Sequence, residues 1–323
     1  MSLVKLRFTM IGTLALLIAV STFFFTVVLS LMGIMDIAAL AFFVVGFNII
    51  QWLIAPYLIG ALYRVKEVSE SENPKLHSMV GRLSRKIGLK MPKVMIANIP
   101  IPNAFAYGSP IAGNRVAVTT GILKELEDEE VEAVLGHELG HLKHRDVQIM
   151  MFASVLPAIF YFIGYSMMLS AWYGGGRQRE GGGAAPVLIG IACMAIYWIL
   201  TLFVLALSRL REYYADQRSV SIVEDGSRKL SEALAKIVAS TGKMKRYRQE
   251  VGNVSSFKAL FIEDPDSAER DQVAIAGTRM FKTDQQLVQE ILSRRVSTAD
   301  RFLELLSTHP NIVKRLQALQ KSA

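Results

Sequence analysis

A single cysteine, Cys193, stands among 323 residues. No internal disulfide can staple such a chain, and the usage fits a reducing compartment. Charge is also scarce: Asp, Glu, Lys and Arg make up 20% of the residues, against about 25% in an ordinary globular domain. Apolar residues reach 52% and the mean hydropathy is +0.34, which excludes intrinsic disorder. Four stretches hold no charged residue at all: Phe8–Met35, Ile37–Tyr63, Val147–Gly176 and Gly181–Ser208. Each exceeds the roughly 20 apolar residues that a bilayer-crossing helix needs. A buried helix of a soluble core averages only about 11–12 residues. The first stretch is too long for a signal-peptide core of about 7–15 residues, and a second follows at once. The composition therefore predicts four spans, near residues 8–32, 38–62, 149–172 and 184–207, paired into two hairpins. Pro56 and Pro157 lie inside spans and predict kinks or broken ends. The first hairpin turns at Gly33–Asp36 and the second through the glycine-rich Gly174–Gly183. No strand precedes that glycine run, so it is not a phosphate loop.

Basic residues orient the hairpins. Lys5 and Arg7 precede the first span and Arg64 and Lys66 follow the second; Lys143 and Arg145 precede the third and Arg209 and Arg211 follow the fourth. The opposite loops hold only Arg177 and Arg179. Positive charge at span ends stays cytoplasmic, which places both termini and both large polar segments in the cytoplasm. The formal charge of +8 does not point to nucleic acid. Residues 208–323 hold 20 basic and 15 acidic residues, and residues 64–148 hold 12 and 11. That mild bias suits an anionic membrane surface and lacks the clustered patch of a nucleic-acid binder.

The chain thus divides into a hairpin at 1–63, half of a cytoplasmic domain at 64–148, a second hairpin at 149–208 and the other half-domain at 209–323. Leu76, Met79, Val80, Leu83 and Ile87 recur at helical spacing, so residues 71–90 read as a helix that Pro92 ends. Val94–Ala97, Ala104–Tyr107 and Arg115–Thr119 read as strands bounded by Pro, Gly and Asn. Acidic Glu127–Glu130 opens a helix, as the helix macrodipole favours. Residues 227–240, 284–293 and 298–320 read as helices, and Thr241–Asp271 as loop.

On the helix opened at Asp128 stands His137-Glu138-Leu139-Gly140-His141. Histidines four apart project from one face, one turn apart, so both imidazoles can reach a single zinc ion. Glu138 lies between them, near the metal without being forced to bind it, where it can act as a base toward water. Val131, Leu135, Leu139 and Leu142 form an apolar stripe beside the histidine face, and Gly140 leaves the metal side uncrowded. A catalytic zinc takes three protein ligands and keeps one position open. The candidates for the third are His144, His309 and a carboxylate. A third histidine six residues past His141 is absent, since Val147 stands there. Glu212, in Arg211-Glu212-Tyr213-Tyr214-Ala215-Asp216, is the better candidate because it follows the fourth span as the histidines precede the third. Asp216, one turn on, can hold a ligating imidazole by its other nitrogen.

These residues, with Asn103-Ala104-Phe105-Ala106, Thr308-His309-Pro310 and Lys314-Arg315-Leu316, make the chain resemble the HtpX-type integral membrane zinc metalloproteases, relatives of the CAAX prenyl endopeptidase. The resemblance covers nearly the whole length. It implies a mostly α membrane protein: four transmembrane helices in two hairpins, with a cytoplasmic α+β zincin-like domain carrying a small sheet. It also implies one Zn2+ per chain held by His137, His141 and Glu212, with Asp216 behind them. By the same likeness, Glu138 is the catalytic base, and His309 and Asn103 stand beside the reaction. Asn103, Ala104, Phe105 and Ala106 form the edge strand that takes substrate, with Arg115–Thr119 as an alternative edge. The implied activity is endopeptidase cleavage of misfolded or damaged membrane proteins on the cytoplasmic side of a prokaryotic plasma membrane, under stress and for quality control. The implied partners are unfolded or membrane-protein substrates, the lipid bilayer and other membrane quality-control proteases, with no nucleic acid. A processing protease for prenylated or signalling peptides and a non-catalytic membrane scaffold stay open beside it. An intramembrane protease does not, because charges at Glu125–Glu132 and Lys143–Asp146 flank the motif, and each costs about 2.5–3.5 kcal/mol at mid-bilayer.

Overall fold

A computed structural model of the chain describes residues 49, 50, 52–61, 63–173, 184–243 and 283–322. The first span, its turn and most of the second span lie outside these residues, as do the Gly174–Gly183 turn and residues 244–271 of the expected loop. The described chain is mostly helical with one small mixed sheet. By its contacts it forms two compact units. Leu53–Val147 joins the residues from Ser208 onward in one, and Gln148–Leu207 lies in the other.

In the first unit the elements run β1 (Val65–Glu67), α1 (Pro74–Ile87), β2 (Lys93–Ala97), β3 (Ala104–Ser109), β4 (Gly113–Thr119), the single turn α2 (Ile122–Glu125) and α3 (Asp128–His144). Asn73 caps α1 by accepting the Leu76 N–H at 3.1 Å, and Pro74 occupies the first turn, where no N–H is needed. The sheet order is β1-β2-β4-β3. The outer pairs are antiparallel and β2·β4 is parallel. Strand alternation sorts the side chains: Val94, Ala104, Val116 and Val118 join the helices in the main core, while Met95, Ala97, Phe105, Tyr107 and Ala117 pack with Tyr63 on the other face. β4 is paired on both sides, so Arg115–Thr119 is not an edge. The edge that remains beside it is β3.

The third and fourth expected spans fall in α4 (Asp146–Tyr173) and α5 (Ala184–Ile222). Among the described residues these are the two helices long and apolar enough to cross a membrane, over Gln148–Tyr165 and Ala185–Ile222. In the second unit they meet through Val155, Ile159, Phe160, Ile163, Cys193 and Leu200. Leu188, Ile191, Trp198, Ile199 and Leu202 of α5 are exposed, an apolar surface that a water-soluble fold would cover. Helix α4 runs through Pro157 without interruption. Helix α5 does not stop at the end of the charge-free stretch; it continues for 39 residues in all, because Arg211–Ile222 keeps an apolar side for the core of the first unit.

Helices α6 (Gly226–Lys243), α7 (Asp284–Ser293), α8 (Thr298–Leu305) and α9 (Ile312–Gln320) complete that unit. Two expectations are corrected here. Thr241–Lys243 belongs to α6 and is not loop. Residues 298–320 are two helices, because Pro310 supplies no N–H and Asn311 restarts the helix by capping the Val313 N–H at 3.0 Å. The break carries His309.

Candidate metal centre and active site

Helix α3 presents the paired histidines because its opposite side is apolar: Val131, Leu135, Leu139 and Leu142 are all buried in the core. Its start is tied to α6 by the buried Glu130, 2.8 Å from Lys236 Nζ. The close approach of α3 to α5 rests on small residues. A Cβ on Gly136 would stand 2.9 Å from Ser219 Oγ, and one on Gly140 3.4 Å from the Ala215 backbone. Gly140 therefore serves helix packing and does not clear a metal side. Ser219 Oγ also donates to the Ala133 carbonyl at 2.6 Å. This contact carries Glu212, two turns before Ser219, to the histidine pair.

The Nε2 atoms of His137 and His141 stand 3.1 Å apart, and each is 3.5 Å from a Glu212 carboxylate oxygen. The other ring nitrogens are engaged elsewhere. His137 Nδ1 is 2.8 Å from Asp216 Oδ1, and His141 Nδ1 is 2.6 Å from Asp146 Oδ2. A neutral imidazole that donates from Nδ1 keeps its Nε2 lone pair for another partner. Here Arg315 Nη2 stands 3.3 Å from His137 Nε2, so a cation already faces the point where the two nitrogens and the carboxylate meet. Glu212 Oε2 is buried and makes no hydrogen bond. His137, His141 and Glu212 form the one His/Cys/Asp/Glu group among the described residues whose ligand atoms, all within 4.8 Å of one another, can hold a metal ion.

Charge supports the fit. Four carboxylates, Glu138, Asp146, Glu212 and Asp216, are buried here, and the guanidinium groups beside them are Arg211, 3.2 Å from Asp146, and Arg315. Acidic groups thus outnumber guanidinium groups at the site, a surplus that a cation would offset. Burial alone would lower the His137 pKa, yet the Asp216 and Glu212 carboxylates raise it to about 9, the response of a site short of positive charge. Burial pushes the Glu138 carboxyl up, against the pull of His137 and His141.

Arg315 is fully buried and grips Asp216 with two N–H groups, Nε at 2.7 Å and Nη2 at 2.8 Å. His309 Nδ1 lies 3.4 Å from Glu212 Oε2. Asn103 is buried just ahead of β3; its N–H donates to Thr119 Oγ1 and its carbonyl accepts the Thr119 N–H, both at 2.9 Å. That bond sets the ladder's alternation, which turns the backbone groups of Ala104 and Ala106 away from β4 toward the open edge. The Ala106 N–H is donated to the Glu138 carboxylate. His144 takes no part in the ligand group and packs edge-on against Tyr214, centroids 4.1 Å apart.

Three residues of this network were not assigned to the site from the sequence: Asp146 and Arg211, which entered there as charges near the span ends, and Arg315, which entered within Lys314-Arg315-Leu316. Asp146 stands five residues past His141 and Arg211 directly precedes Glu212, so proximity in the chain was a usable signal for both. Arg315 has no such signal; 99 residues separate it from Asp216.

A buried pair of helical histidines with a carboxylate from a second helix and a glutamate between them defines a metal-dependent hydrolase. Residues 70–323 match the model of peptidase family M48, and the chain belongs to that family. The protease HtpX homolog of Thermoplasma acidophilum is 40% identical over 279 residues, 85% of this chain and 82% of that protein. Protease HtpX homolog 2 of Saccharolobus solfataricus is 38% identical over 328 residues, 99% and 95% of the two chains. The crystal structure of S. mikatae Ste24p shares the fold, with a TM-score of 0.53, 16% identity, and coverage of 98% of this chain and 67% of that one. The protein is a membrane-embedded metalloprotease that acts on protein substrates; the scaffold reading is closed.

Proposed function

We propose that the metal is a single zinc ion held by His137, His141 and Glu212, and that the protein cleaves misfolded or damaged membrane proteins at the cytoplasmic face of a prokaryotic plasma membrane. The observation that carries the site is the convergence of the His137 and His141 Nε2 atoms and the buried Glu212 carboxylate, with all ligand atoms within 4.8 Å of one another. Imidazole and carboxylate in a three-ligand set suit zinc and leave a position for chemistry. When bound, the ion acidifies water and polarises the scissile carbonyl. Glu138, next to His137 and raised by burial, takes the proton of the attacking water and delivers it to the leaving amine. Asp216 and Asp146 hold the two imidazoles in their Nδ1–H tautomers, and Arg315 and Arg211 hold the carboxylates in turn. His309 or Asn103 donates to the tetrahedral oxyanion, a contribution worth about 2.7–4 kcal/mol in other enzymes.

An extended substrate adds to β3 as a further strand, bonding the backbone of Ala104 and Ala106. Recognition through backbone favours any unfolded segment over a fixed sequence, which suits quality control. Four spans in two hairpins, at 1–63 and 149–208, hold the two half-domains at 64–148 and 209–323 on one side of the bilayer. The test is metal analysis and casein proteolysis on detergent-solubilised protein. Wild type carries one zinc per chain and cleaves; Glu138→Gln keeps the zinc and loses about 10²–10⁴-fold in rate. Near-normal turnover by Glu138→Gln removes the general base from the mechanism, and wild type without zinc removes the metal assignment.

A further inference from the structure

Helix α8 is amphipathic in the reverse sense for a water-soluble surface. Glu304 is its inward polar residue, pairing with Lys314 and accepting the Asn311 N–H at 3.3 Å. Its apolar side faces out, with Phe302 64%, Leu305 52%, Leu306 50% and Leu303 37% exposed, and no residue of the helix is buried. Phe302, Leu305 and Leu306 lie at i, i+3 and i+4, one stripe. The helix is well formed. Ser297 and Asp300 cap its start reciprocally, and Arg209 Nη1 donates to the carbonyls of Glu304, Leu305 and Ser307 at 2.8, 3.2 and 2.7 Å, a cation at the helix C-terminus. Arg209 is the first charged residue after the stretch Gly181–Ser208. The end of α8 is therefore pinned to the point where the chain leaves its apolar span. Arg295 and Arg301, beside the stripe, are exposed.

We propose that α8 is an interfacial anchor: Phe302, Leu303, Leu305 and Leu306 enter the boundary between headgroups and acyl chains of the leaflet that the span leaves, and Arg295 and Arg301 meet anionic headgroups. This rests on the membrane reading above. A short helix with a wide apolar face and flanking arginine binds such a boundary in the plane of the bilayer. The anchor is continuous with the site, because Ser307 and Thr308 lead directly to His309 beside Glu212. Membrane seating of α8 would hold that end of the cleft at headgroup height, where segments pulled from the bilayer emerge.

Full-length protein with Cys193→Ser and single cysteines at Phe302, Leu306, Leu188 or Glu70 is labelled with a nitroxide and reconstituted in phosphatidylcholine vesicles with and without phosphatidylglycerol. Leu188, 65% exposed on the apolar stretch of α5, reports lipid, and Glu70 reports water. The oxygen-to-nickel accessibility ratio at 302 and 306 is expected several-fold above that at 70 and close to that at 188, rising further with phosphatidylglycerol. A water-like ratio at 302 with a lipid-like ratio at 188 overturns the anchor alone. Exclusion of both relaxants at 302 means that protein covers the face, a second copy or another part of this chain, and overturns it too. A water-like ratio at 188 refutes the membrane reading and the anchor together.

Discussion

Removing Asp216 separates two roles that the wild-type structure combines. Its Oδ1 faces His137 Nδ1 at 2.8 Å, and both its oxygens take N–H groups of the fully buried Arg315. In Asp216→Ala the imidazole loses its orienting acceptor, which lowers metal affinity about 10–100-fold where such partners are removed, or about 1.4–2.7 kcal/mol. Arg315 meanwhile stays buried without its bidentate partner, and breaking a buried pair from one side costs about 3–5 kcal/mol. Against a total stability of about 5–15 kcal/mol, the second effect dominates the melting temperature. Asp216→Ala/Arg315→Met removes both charges, and apolar replacement of a whole buried pair is often neutral. The double variant is expected to regain most of the stability and none of the affinity. Thermal melts of the metal-free protein in detergent and zinc titration against a competing chelator measure the two quantities separately. If Asp216→Ala binds zinc within about twofold of wild type, or the double variant recovers full affinity, Asp216 does not orient His137.

Glu212→Ala leaves two histidines for the metal and is expected to lose zinc on dialysis; retention at wild-type affinity would move the third ligand elsewhere. Gly136→Val drives methyl groups at Ser219 Oγ and Val223, 2.9 and 3.1 Å from a Cβ there, and overpacking of this kind costs about 1–3 kcal/mol. A lower melting temperature together with weakened zinc binding is the expected result, and an unchanged melt would refute the close packing of α3 on α5. Cysteine labels near Gly182 should react from outside intact cells while labels at Glu70 and Lys243 should not; external reaction at either of the latter reverses the orientation read from the basic residues.

The readable parts of this protein are those in which local spacing carries the physics. His137, Glu138 and His141 fall on a helix whose apolar stripe is written at the same period, so element and chemistry appear together. Long charge-free stretches mark α4 and the first part of α5 in the same way. What escaped was either too short or too distant. β1 is three residues, Val65-Lys66-Glu67, with no alternation to reveal it, yet it pairs with β2 over its whole length. The bond between Arg315 and Asp216 joins the last helix to α5, and nothing local to either residue encodes it. The split between α8 and α9 was visible in principle, since Pro310-Asn311 is a stop and a cap in sequence, but the apolar period on both sides hides it. The inward turn of Gly140 toward Ala215 depends on which face α5 covers, which periodicity alone does not give.

A backbone N–H makes one good hydrogen bond, and that of Ala106 is held by the Glu138 carboxylate. A peptide strand that docks along β3 in register brings its own carbonyl to the same N–H. Two acceptors then compete for one donor, and the carboxylate is freed as the strand settles. Under the proposed mechanism, strand docking and release of Glu138 would thus be a single linked equilibrium. On the docking proposed above, a peptide long enough to reach Ala106 would release Glu138, whereas a shorter one would leave it tethered to the sheet edge. The length of extended chain presented to the enzyme, more than its side chains, would then decide when Glu138 is available.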